Sequence, residues 1–233
     1  MITHLRWAFV LAAPLLLAAC LLTPGQFTST LDIRADRSFT FTYVGEVVVT
    51  DPGTAFSQGV QEGAQSGTEE GEEDTGDEEA AAEPQGPAPE LSEAERQAIV
   101  DALSREVGYR SVEYVGENKF RVDYAISGRL DRNFVYPMNL DATAVIPWIA
   151  VELRRDGTAR VTGLAFGESS GDAPMNSADS NRHRNGTFTL TTDAELVMHN
   201  NESGAQSGER STVAWRITPT TRNAPVAVVR FPN

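Results

Sequence analysis

From Phe27 onward, apolar and polar positions alternate with a period of two over much of the chain. Phe27, Ser29, Leu31 and Ile33 occupy every second position, as do Phe39, Phe41 and Tyr43. That is the spacing of strands with one buried face. Ala35-Asp36-Arg37-Ser38 between the two runs predicts a hairpin loop, so Phe27 to Val49 reads as a β-hairpin. The same alternation returns at Phe120, Val122, Tyr124 and Ile126. Ile149, Val151 and Leu153 lead into Asp156-Gly157 with Ala159 and Val161 beyond, the pattern of a hairpin closed by a type I′ turn. Phe188, Leu190 and Thr192 open a strand region reaching Met198; Val213, Trp215 and Ile217 form another, and Val226 to Phe231 closes the chain.

One segment has helical period. Between Leu91 and Val107, Ile99, Leu103 and Val107 recur every fourth residue and, with Val100, make one apolar stripe. Ser92 is placed to cap the first turn with Glu95 three residues on, a capping box, and Glu93 suits the positive end of the helix dipole. Gly108 predicts the stop. A lone helix with one apolar face is best buried on a sheet, so the expected fold class is α+β: an antiparallel β-sheet domain with one amphipathic helix packed on it.

The pattern differs at the start. His4 and Arg6 precede Trp7 to Ala19, an apolar run of 13 residues containing Pro14. Spanning a bilayer takes about 20 apolar residues, so the run suits a secretory signal better than a transmembrane helix. Leu17-Ala18-Ala19-Cys20 then presents an aliphatic residue, two small residues and the single Cys of the chain. Small side chains suit a cleavage site, and a thiol is a nucleophile. An exported chain with one leftover Cys would otherwise carry an odd reactive thiol.

These four residues resemble the lipobox of bacterial lipoproteins. The resemblance implies cleavage before Cys20, S-diacylglycerol and palmitate-type acylation there, and anchoring to a membrane through the acyl chains, each buried methylene contributing roughly 0.8 kcal/mol. In a Gram-negative source, Leu21 in place of Asp after the Cys implies sorting to the outer membrane, facing the periplasm. Only Leu21 to Gln26 separates Cys20 from the first strand-like segment, a reach of about 20 Å.

Charge changes the picture in one place. The 233 residues sum to −14, but Asp51 to Glu90 holds 12 acidic residues and no Lys or Arg, leaving −2 for the other 193. With Phe56 and Val60 as its only bulky apolar residues, this stretch cannot offset the entropy of ordering and is expected to be a disordered acidic loop directed away from an anionic leaflet. No stretch has the cationic surplus of a nucleic-acid binder. The expected organisation is a signal peptide (1–19), a lipid-anchored N-terminal hairpin (20–50), the acidic loop (51–90), and a helix plus strands (91–233) completing a single domain with 27–50.

Catalytic chemistry finds little support. Gly167-Glu168-Ser169-Ser170-Gly171 matches G-x-S-x-G, and an envelope serine hydrolase using Ser169 would follow from it. A nucleophile elbow needs a helix after the Ser, whereas Gly171 to Asn181 has turn chemistry and a Pro. His183 sits between Arg182 and Arg184, and His199 follows a strand region, so neither suits a metal. Glu168, Asp172, Asn176, Asp179 and Asn181 are oxygen-rich but lack the ordered spacing of a calcium loop. No catalytic, cofactor or metal residue is assigned; Cys20 is the one site. The apolar stretch Phe134 to Val151 reads as core strands or as the lining of a groove for an acyl chain or partner, with Pro137 and Pro147 favouring an edge.

The order of a hairpin near the Cys, an insertion, a capped helix and strands ending in one with Trp215 resembles alphaproteobacterial envelope lipoproteins and the LppM-type lipoprotein domain. The expected function is that of a lipid-anchored cell-envelope lipoprotein with a binding, interaction or structural role and no evident catalysis, its partner an envelope protein or a lipid ligand; a carrier or sensor of lipid or another hydrophobic ligand is the alternative.

Overall fold

The computed structural model describes residues 21–50, 90–137, 147–167 and 181–232. Residues 51–89 of the acidic segment, Cys20, Ser169 and the Glu168–Asp179 carboxylates all lie outside these residues. Among the described residues eleven strands are defined: β1 Leu21–Ile33, β2 Ser38–Thr50, β3 Tyr109–Gly116, β4 Lys119–Arg129, β5 Phe134–Tyr136, β6 Ile149–Leu153, β7 Thr158–Thr162, β8 Asn185–Thr192, β9 Glu195–His199, β10 Ser211–Ile217 and β11 Val226–Arg230. Helix α1 spans Glu93–Arg105.

The fold class is corrected by this arrangement. Strands make up 55% of the described residues, and they form two sheets where one antiparallel sheet is expected. The first has the order β10-β8-β1-β2-β4-β3 and the second β5-β6-β7-β11-β9. The first is mixed, because β1 pairs in parallel with β8, Gln26 beside Asn185 through Ile33 beside Thr192. Local periodicity cannot reveal a parallel pairing between segments so far apart in sequence. A second correction has the same root: the run from Phe188 to Met198 is two strands, since the chain leaves β8 in one sheet at Asp193-Ala194 and enters β9 in the other.

The two inner faces meet in one aromatic core. Phe41 and Tyr43 of β2 reach Tyr136 at ring-centroid distances of 4.9 and 5.5 Å, Tyr43 reaches Trp148 at 5.2 Å, and Phe27 stacks on Phe166 at 4.6 Å. Such pairs contribute about 0.5–1.5 kcal/mol each beyond the area they bury. The register of β1 depends on close approach. Phe27 lies between Gly45 of β2 and Gly186 of β8, and a Cβ at either would come within 2.3 Å of a backbone oxygen.

Helix α1 carries the capping box: Ser92 Oγ accepts from the Glu95 amide, and the Glu95 carboxylate accepts from the Ser92 amide at 2.8 Å. Ile99 and Leu103 are buried. Val107, expected on the same stripe, is 83% exposed. The helix ends at Arg105, and Gly108 at φ +107° carries the chain away into β3.

Two of the hairpin turns, β1–β2 and β6–β7, share one construction. In Arg34–Ser38 the Asp36 carboxylate accepts from the amide and hydroxyl of Ser38 at 2.9 and 2.6 Å. In Arg154–Thr158 the Asp156 carboxylate accepts from the amide and hydroxyl of Thr158 at 3.1 and 2.6 Å. Gly157 is at φ +78° while Asp156 is not left-handed, so the turn is not the expected type I′, which needs both central residues at positive φ. The Gly157 amide donates to the Arg154 carbonyl and the Arg154 amide to the Thr158 carbonyl, a type I turn followed by a bulge.

Those hydrogen bonds hold the Asp36 and Asp156 carboxyls below their ordinary range. A depressed folded value means the contribution is complete above the unfolded pKa and is lost as the pH falls through the folded one. Melting temperature is therefore expected to hold from neutral pH to about 5 and to decline below about 4. Asp156→Asn, which keeps an uncharged acceptor, should flatten the acid limb in melts across that range; an unchanged slope would show that these turns do not set it.

Candidate functional site

The candidate site is the pole at which β1 begins. Leu21 already pairs with Thr50, and Leu22 with Val49, so the strand starts at the residue after Cys20. The short tether expected over Leu21 to Gln26 is instead paired backbone, with a register shift between Pro24 and Phe27. Several elements brace this end. The Trp148 indole, 1% exposed, donates to the Leu22 carbonyl at 3.2 Å. Asn118, in the β3–β4 turn, accepts from the Val49 amide through its carbonyl at 2.9 Å and from the Leu91 amide through its side chain at 2.8 Å. Both described ends of the acidic segment, Thr50 and Glu90, thus lie at the same pole as the β1 start.

The most deeply buried cation among the described residues also belongs here. Arg184 is 2% exposed. One terminal nitrogen donates to the carbonyls of Ala165 and Gly167 at 3.0 and 3.1 Å, the other to Thr221 at 3.2 Å, and Nε to Thr218 at 3.4 Å. The planar guanidinium therefore joins the chain leaving β7 in one sheet to the loop leaving β10 in the other. Nothing in Arg182-His183-Arg184 distinguishes this residue from its neighbours in the sequence; only the crossing of two distant loops over it does.

His183 is partly buried beside Lys119, Arg182, Glu117 and Glu46. Burial, then the charges of Lys119 and Arg182, lower its pKa from the ordinary imidazole value. Lys119 is held by Glu117 at 2.6 Å. His199 lies far along the other sheet, with Nδ1 accepting from the Asn201 amide at 3.3 Å. Among the described residues, no group of three or more His, Cys, Asp or Glu side chains could hold a metal. The described part of the apolar stretch is core: Tyr136, Trp148, Ile149 and Val151 are all buried. β5 stops before Pro137 and is an edge strand, as the prolines predict. Burial pushes the Tyr43 and Tyr136 phenols well above their ordinary range. The Tyr43 hydroxyl donates to the Glu46 carbonyl at 2.7 Å, and that of Tyr136 is buried beside the Tyr109 phenol.

No family model matches the chain. No curated protein matches it either. Among solved structures, the NMR structure of the folded domain of the Mycobacterium tuberculosis LppM protein is similar, with a TM-score of 0.34 and 13% identity over 91% of this chain and 93% of that one. Among the described residues, no helix is long and apolar enough to cross a membrane.

Proposed function

We propose that this chain is a lipid-anchored cell-envelope protein, acylated at Cys20, that acts by binding a partner and not by catalysis. The observation that carries the reading is the junction at Cys20. The only Cys of the chain ends an apolar run in Leu17-Ala18-Ala19-Cys20, and paired strand begins at the next residue. With no spacer, acyl chains on Cys20 would hold the first turn of the sheet at the membrane surface, and a strand of 13 residues would carry the opposite pole roughly 40 Å outward. Leu21 in the position after the Cys supports the outer membrane in a Gram-negative cell.

Cys20→Ala tests the anchor. The substitution is expected to abolish incorporation of labelled palmitate and to move the protein from the membrane to the soluble envelope fraction. Retention of the label or of the membrane association would overturn the assignment.

A further inference from the structure

The pole opposite the β1 start is made of three chain reversals joined by hydrogen bonds from backbone amides and by a cation–π contact. The Leu130 amide donates to the Arg37 carbonyl at 2.8 Å, joining the segment after β4 to the β1–β2 turn. The Leu153 amide donates to the Asn133 side chain at 2.9 Å, joining it also to the end of β6. The Phe231 amide donates to the Gly157 carbonyl at 3.1 Å, and the Arg37 guanidinium lies 5.0 Å above the Phe231 ring, which brings the two hairpin turns together.

This surface is cationic in an acidic protein. Residues 34–37, 129–133 and 154–157 hold six Arg and three Asp, a net +3 in a chain of −14. The Asp side chains are engaged locally, Asp36 by Ser38, Asp156 by Thr158 and Asp131 by Arg129 at 3.2 Å. The neighbouring Asp32, Asp193 and Glu195 are paired with Arg34, Arg210 and Arg230. Arg132, Arg154 and Arg155 are exposed and make no ion pair among the described residues. Arginines on the tips of turns give up side-chain entropy when they bind, so leaving three of them together has no evident folding benefit.

We propose that this pole is a docking surface for an acidic polypeptide, gripped by Arg132, Arg154 and Arg155 with Arg37 and Arg129 beside them. Guanidinium forks match carboxylates in bidentate geometry. The interspersed Asp36, Asp131 and Asp156 would repel a uniformly charged phosphate polymer, whereas a polypeptide can space its carboxylates to face the arginines alone. The surface points away from the anchored end, so its partner lies outside the anchoring membrane. The assignment deepens the interaction role proposed above and rests on it, but not on acylation: the Cys20→Ala chain should bind like the parent.

The test uses the full chain in micelles of a neutral detergent and a fluorescent glutamate-rich peptide as probe. Binding is expected at low salt and should weaken steeply at about 0.5 M salt. The triple variant Arg132→Ser, Arg154→Ser, Arg155→Ser should bind about tenfold more weakly or worse while melting like the parent, since all three side chains are exposed. Arg132→Glu alone should reproduce the direction of the effect if the triple variant folds poorly. No binding by the parent at low salt, equal binding by the variants, or tighter binding of inorganic polyphosphate than of the peptide would each overturn the proposal.

Discussion

Replacing Arg184 by Met is expected to lower stability by about 3–5 kcal/mol, a fall in melting temperature of about 10–15 °C for a domain of this size. Methionine fills much of the arginine volume, so the loss would come from hydrogen bonds more than from a cavity. The carbonyls of Ala165 and Gly167 accept from the guanidinium in fully buried contacts, and those of Thr218 and Thr221 in partly buried ones. A buried acceptor left without a donor costs about 1–3 kcal/mol. An opposing effect exists, because the guanidinium was itself taken out of water. Replacing a whole buried ion pair can be neutral, since both partners disappear together. Here only the donor disappears, while the backbone carbonyls cannot be removed by substitution, so the loss should win. Arg184→Lys should fall between: an ammonium can serve two or three of the acceptors but lacks the planar reach from the Ala165–Gly167 side to the Thr218–Thr221 side. Thermal denaturation, with hydrogen exchange at Phe166 and Thr221, reads the result. A Met variant melting within a degree or two of the parent would show that the clamp is dispensable.

Arg184 also marks where the sequence stops being informative. The β1–β2 hairpin, the alternation in β4 and β10, and the capped helix are legible because each is encoded in one continuous stretch of sequence: Phe27, Leu31, Ile33, Phe41, Tyr43, Val213 and Trp215 are all buried as their spacing requires. The Ser92–Glu95 box is legible for the same reason, since donor and acceptor are three residues apart. The two-sheet arrangement is not. Its determinants are the parallel seating of β8 on β1 and the change of sheet at Asp193-Ala194. Gly45 and Gly186 hint at close strand approach, yet their shared neighbour Phe27 is identified only by the register. The cationic pole is hidden likewise. Six arginines scattered over three turns look like solvated surface until Leu130, Asn133 and Phe231 draw those turns together. By contrast the proposal for Cys20 rests on its four-residue setting and draws on no tertiary information.

Trp148→Ala is expected to be the other severe substitution, at about 3–5 kcal/mol. The side chain is 1% exposed and touches Tyr43 and Tyr136 with centroids at 5.2 and 5.7 Å, so truncation opens a cavity in the middle of the aromatic core. Trp148→Phe separates packing from hydrogen bonding. It retains an aromatic ring but loses the indole donor to the Leu22 carbonyl, with an expected cost nearer 1–2 kcal/mol. That smaller loss has the more specific signature. Leu22 is the second residue after Cys20, and Trp148 ties it to the second sheet, so the Phe variant should loosen the first residues of β1 before the rest of the molecule. Hydrogen exchange should quicken at the amides from Leu22 to Phe27 that are paired with β2, while those of β10 and β11 remain as slow as in the parent. If acceleration were uniform, the indole would be a core residue like any other. If it is confined to the start of β1, Trp148 is what stiffens the strand that follows Cys20.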